Sequence, residues 1–211
     1  LATASKVAHI LCKAADLATA SKVAHILCKA ADNGKEVTVL MELRARFDEE
    51  NNISWSRLLE DSGCRVIYGV EDYKCHSKIC LITMRRGDRL SYITQIATGN
   101  YNERTNEMYT DLSLITASED IGLDGTVFFQ NMLVGNLEGE YRHLLVAPAG
   151  IKPKLLELID GEIAKGQEGY IRIKANSMTE RDVMDKLVEA SQAGVQVQLI
   201  LRGICCLRPG I

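Results

Sequence analysis

Residues 74–102 read KCHSKICLITMRRGDRLSYITQIATGNYN, and the reading of this stretch decides the fold. Two apolar runs, 78–85 (KICLITMR) and 90–98 (LSYITQIAT), flank the turn Arg86-Gly87-Asp88-Arg89, the pattern of a β-hairpin. Polar residues crowd both outer ends of the pair, KCHSK before it and ATGNYN after it. Strand ends are where sites gather in α/β proteins. His76 and Lys78 stand two apart, so on a strand they share a face. A histidine there can attack a phosphate, and a neighbouring lysine can neutralise the phosphoryl oxygens. Gly99 lets the backbone approach an anion, with the Asn100 and Asn102 side chains as donors. An H-x-K triplet alone arises often by chance. Followed by G-x-x-N after the next strand, it is more specific.

Outward from the hairpin the chain alternates strands and helices. Residues 36–43 (EVTVLMEL) read as a strand and end in a third polar segment, ELRARFDEENN (42–52). A helix is expected over 54–62, closed by Gly63, and a short strand over 65–68. A strand follows at 110–116 and a helix at 127–133. The polar stretch NLEGEY (136–141) marks a boundary. A second α/β unit then opens, with strands at 143–147, 170–175 and 195–201 and helices at 153–165 and 180–192. It stops after one such unit and reads as incomplete. The expectation is therefore a mixed α/β sheet flanked by helices over 17–137, followed by a partial second α/β unit over 138–211.

Before this lies an exact duplication. Residues 1–16 (LATASKVAHILCKAAD) recur without a mismatch as residues 17–32. Val7, Ala8, Ile10, Leu11, Ala14 and Ala15 form one apolar helical stripe, so both copies read as helices. At about 100° per residue, sixteen residues leave the second stripe rotated by about 160° from the first. One straight helix cannot bury both stripes on one core. Copy two, running into Asn33-Gly34, is expected to be the native helix, with Asp16, Thr19 or Ser21 as its cap. Copy one is expected to pack elsewhere, on the unfinished second unit or through self-association. His9 and His25 are duplicates beside the stripe and read as packing or surface residues.

The chain is 46% hydrophobic and 25% charged, with a formal net charge of −3. No global basic surface for nucleic acid is implied. No apolar run reaches the roughly 18 residues of a membrane span, and no signal peptide opens the chain. Membrane association is otherwise left open. The seven cysteines are odd in number, lack CxxC spacing, and read as reduced, mostly buried thiols of a cytoplasmic protein.

The pairing of H-x-K with G-x-x-N resembles the phospholipase D superfamily, in which a histidine becomes phosphorylated. That family's acid, five residues past the lysine, would fall on Thr83, which disfavours an ordinary phosphodiesterase. Longer strings carry a closer resemblance: NGKEVTVLMELRARFDEENNISW, YKCHSKICLI, TGNYNERTNEMYTDLSL, HLLVAP and ILRGICCLRPG resemble, in this order and spacing, bacterial polyphosphate kinases of the histidine-phosphorylated type. The resemblance implies two phospholipase-D-like domains and reversible transfer of the ATP γ-phosphate to inorganic polyphosphate through a phosphohistidine, with Mg²⁺. It implies that His76 is the phosphorylated residue, that Lys78 and Asn102 contact phosphate, and that Arg46 is associated with Mg²⁺ and phosphate. Tyr109 and Arg202 match nucleotide-contacting positions, although Tyr109 also fits a packing role. Arg44 and Arg65 read as solvated charges. The resemblance also places a second catalytic histidine beyond the last strand and an arginine upstream of copy two, so the 211-residue chain is expected to be inactive alone. The competing reading is an engineered, non-enzymatic scaffold carrying a duplicated helix.

Overall fold

The computed structural model describes residues 8–14, 21–42 and 49–210, with side chains at 8–14, 49–51 and 103–105 excepted. It divides into two compact units, Leu1–Leu144 and Leu145–Ile211.

In the first unit six strands form one mixed sheet. They are β1 (Ala8–Ala14), β2 (Glu36–Met41), β3 (Arg65–Ile67), β4 (Ile79–Arg86), β5 (Arg89–Ala97) and β6 (Ser113–Thr116), in the order β3-β2-β1-β4-β5-β6. β1, β2 and β3 run parallel, and β4, β5 and β6 continue antiparallel. Parallel neighbours need a crossover. α1 (Lys22–Asp32) follows β1, and α2 (Glu49–Asp61) joins β2 to β3. Ala24, Leu27 and Cys28 of α1 pack with Val37, Val39 and Met41 of β2 and with Trp55 and Leu59 of α2. α4 (Glu119–Val134) lies against β4 and β5. There a Cβ on Gly122 would collide with the Tyr92 ring.

The duplication does not make two helices. Copy two does: Ser21 caps α1 by accepting from the Ala24 N–H at 3.3 Å, and Gly34 closes it at φ +73°. Copy one supplies β1, whose register sets Ile10 opposite Val37 of β2 and Ile82 of β4. The expectation of a helix there is corrected. A strand between β2 and β4 pairs both of their inner edges, which a helix would leave open. The other cap candidates, Asp16 and Thr19, lie outside the described residues.

Three further expectations change. Residues 143–147 form no strand, because the N–H groups of His143 and Leu144 donate to the Asp124 carboxylate at 2.6 and 2.8 Å. The helix expected over 127–133 begins at Glu119, capped by Ser118, since two interior glycines are tolerated for packing. Only Ser113–Thr116 of the 110–116 strand pairs, and α3 (Glu103–Met108) precedes it unforeseen. The thiols are not mostly buried either. Of the six described, Cys28 and Cys64 are buried, Cys75 and Cys80 intermediate, and Cys205 and Cys206 exposed. Burial, with Cys28 and Asp32 nearby, pushes the Cys64 thiol up to about 11, which keeps it protonated and inert.

The second unit is smaller. α5 (Ile151–Ile163), β7 (Tyr170–Ala175), α6 (Arg181–Gln192) and β8 (Gln196–Leu201) form a parallel pair of strands under two helices. Ile159, Ile171, Val183, Leu187 and Val195 make its core.

Candidate functional site

β2 ends at Met41 and β4 begins at Ile79 on the same edge of the first sheet, because β4 is antiparallel to β1 and β1 parallel to β2. β5 ends there too: the Ala97 N–H donates to the Lys78 carbonyl at 3.0 Å. One sheet edge therefore gathers Glu42, the His76–Lys78 segment and the Gly99–Asn102 loop.

His76 and Lys78 precede the β4 ladder rather than standing on it. They meet because the lysine reaches back. Lys78 Nζ lies 3.3 Å from His76 Nδ1 and 3.2 Å from Nε2, and donates to the His76 carbonyl at 2.7 Å. Neutral imidazole offers one acceptor nitrogen, so the tautomer decides which ring contact is a hydrogen bond. Lys78 is 4% exposed and His76 is exposed. The arrangement is a reachable imidazole with a buried ammonium held against it. Burying an ammonium is costly unless it is hydrogen-bonded, and His76 supplies that.

Across the edge, Asn102 is buried and its carbonyl accepts from the Asn106 N–H at 3.1 Å. Asn100 is half-buried in the same loop. Gly99 lies against the Asp111 carboxylate, which accepts from Thr98 Oγ1 at 3.1 Å and would have to shift to admit a Cβ. Tyr109 is exposed just beyond α3. A residue that sequence reasoning did not single out stands here as well. Glu42 is buried, its Oε2 accepts the Cys75 N–H at 3.0 Å, and its carbonyl accepts from Asn52 Nδ2 at 3.2 Å.

Arg46, and Arg44 with it, lies outside the described residues. Arg202 belongs to the second unit, where its Nε donates to Asn176 Oδ1 at 3.0 Å just past β8. Thr83, at the position of the superfamily's acid, lines a cavity of about 530 Å³ with Glu36, Arg65, Arg85, Tyr92 and Gln130. Thr83 stands on β4, five residues past Lys78. Among the described residues no group of three or more His, Cys, Asp or Glu side chains is placed to hold a metal ion.

Comparison with known proteins places the chain in a family. Residues 1–138 match the family model described as polyphosphate kinase C-terminal domain 1, and residues 144–211 match C-terminal domain 2. The chain is 50% identical over 182 residues to a polyphosphate kinase of Staphylococcus epidermidis, covering 85% of this chain and 25% of that protein. It is 49% identical over 182 residues to one of Halalkalibacterium halodurans, covering 85% and 26%. The crystal structure of polyphosphate kinase from Porphyromonas gingivalis superposes with a TM-score of 0.84 at 35% identity, over 100% of this chain and 35% of that one. The chain spans about a quarter of the length of the curated relatives it matches. With both C-terminal domain models matched in order and half of the aligned residues identical, the chain belongs to the bacterial polyphosphate kinase family.

Proposed function

We propose that the chain carries the phosphohistidine part of a polyphosphate kinase site, on a first unit of phospholipase-D-like arrangement. One observation carries the reading: the Lys78 ammonium lies within hydrogen-bond distance of both ring nitrogens of an exposed His76. An unprotonated ring nitrogen attacks the terminal phosphorus of ATP. The P–N bond forms, the bridging P–O bond breaks, and ADP leaves with the electron pair. A terminal oxygen of inorganic polyphosphate then attacks the same phosphorus, breaks the P–N bond and restores the imidazole. Lys78 offsets the negative charge at the phosphoryl group, the kind of fixed cation that loose phosphoryl transfer relies on. Asn100 and Asn102 supply donors from the opposite loop, and Tyr109 and Arg202 contact the nucleotide. The described residues do not form a Mg²⁺ cage, so Mg²⁺ would be held mainly by the nucleotide's phosphate oxygens, with Arg46 pairing to those oxygens. No described helix is long and apolar enough to cross a membrane.

The test is incubation of a complete kinase carrying this segment with Mg²⁺ and ATP labelled on its terminal phosphate. Acid-labile, base-stable label on His76, absent from His76→Ala, is expected. Label retained in that variant, or mapped to His143, overturns the proposal.

A further inference from the structure

The geometry points to Glu42 as a positioning residue for His76, an inference that rests on the phosphohistidine reading above. Residues 68–78 have no strand or helix of their own. A nucleophile in such a loop needs another anchor, because a displacement of about 1 Å can cost about a hundredfold in rate. Two hydrogen bonds bracket it. On the far side Lys78 Nζ holds the His76 carbonyl at 2.7 Å. On the near side the Glu42 carboxylate holds the Cys75 N–H at 3.0 Å. The backbone of residues 75 and 76 is thereby held from both sides.

Glu42 is itself anchored. It follows the last residue of β2, is 5% exposed, and its carbonyl takes the carboxamide of Asn52 from α2 at 3.2 Å. A relay thus runs from α2 through Glu42 and Cys75 to His76. An N–H donating to a carboxylate makes a charge-assisted bond, stronger than one to a neutral acceptor. Glu42 acts through the loop.

The test compares Glu42→Met, which keeps the volume and removes the acceptor, with Glu42→Gln, which keeps an acceptor and removes the charge. Both are made in a complete kinase that carries this segment, because the 211-residue chain is expected to be inactive alone. In the parent, the Cys75 amide is expected to exchange with solvent at least about tenfold more slowly than in an unfolded chain. In Glu42→Met that protection is lost. The maximal rate of His76 phosphorylation falls by about ten- to a hundredfold while the ATP concentration for half-maximal rate is unchanged. Glu42→Gln recovers most of the rate. A merely structural role would instead lower amide protection across the whole sheet and would not be rescued by an acceptor. A parent Cys75 amide that exchanges like an unfolded one overturns the proposal, even if Glu42→Met fails to fold. So does a folded Glu42→Met that labels His76 at the parent rate. If the parent takes no label at His76 at all, the phosphohistidine reading fails, while Cys75 exchange still decides whether Glu42 holds the loop.

Discussion

Ala8–Ala14 and residues 24–30 are the same seven residues, AHILCKA, yet the first is a strand at the middle of a six-stranded sheet and the second lies inside α1. Nothing within the copies can account for this. Ordinary residues differ by less than about 0.7 kcal/mol each in helix propensity, so the intrinsic preference is small and equal in both copies. What differs is the setting. Copy two is followed by Asn33-Gly34, which ends the helix in a left-handed turn, and its Ala24, Leu27 and Cys28 find β2 and α2 to pack on. Copy one is followed by copy two, and lies where the edges of β2 and β4 both need a partner. Backbone satisfaction across the sheet outweighs a helical pattern in the side chains.

The largest effect that could break this comparison comes from deleting residues 1–16. The single copy left cannot be both β1 and α1. Either β2 and β4 lose their shared neighbour, or the sheet loses the helix that covers Val37 and Val39. Loss of the cooperative unfolding transition, followed by circular dichroism, is expected. A shortened chain that melts as the parent does would mean that β1 is dispensable.

The same lesson recurs where residues 143–147 (HLLVA) alternate like a strand and do not pair as one. Asp124 lies in α4, and its carboxylate takes three backbone N–H groups from the chain that follows: Arg142 at 3.2 Å, His143 at 2.6 Å and Leu144 at 2.8 Å. Burial alone would raise the Asp124 carboxyl, but these three donors outweigh it and hold it below its ordinary value. A carboxyl lowered on folding stabilises the fold above its unfolded value. That stability is lost as pH falls through about 3.9 toward the lower folded value. Asp124→Asn should therefore cost about 1.5–3 kcal/mol near neutral pH. The gap between variant and parent should close as pH drops into the acid range. Urea titrations at several pH values measure it, and a gap independent of pH would show that the carboxylate charge is not what holds residues 142–144.

Legibility in the sequence followed the same division. The β4–β5 hairpin, β7, α5 and α6 could be read because period and turn residues are local. The choice between β1 and α1 could not, nor could the start of α4, where Gly122 and Gly125 look like breakers until Tyr92 and Leu81 are seen against them. At the site, His76, Lys78 and Asn102 were legible as polar residues at strand ends. Glu42 was not singled out because its partner Cys75 lies 33 residues away and is a backbone N–H, which no side-chain pattern reports. Strand periodicity puts Lys78 and His76 on one face, but their contact does not come from a strand. It arises instead from a lysine bent back on its own loop.

The smallest effect gives the sharpest form of the comparison, because the duplication allows one substitution to be made twice. Ser21 Oγ accepts the Ala24 N–H and satisfies one of the donors that every helix start leaves over. Ser21→Ala should cost about 1 kcal/mol, the usual loss for a serine cap. Ser5 is its twin, in the same sequence context of LATASKVAHIL. If stability follows the setting rather than the string, Ser5→Ala and Ser21→Ala will differ in denaturation midpoint, with the larger loss at Ser21. Equal losses at the two positions would mean that both copies use their serine in the same way. The strand and helix assignments of the two copies would then have to be withdrawn together.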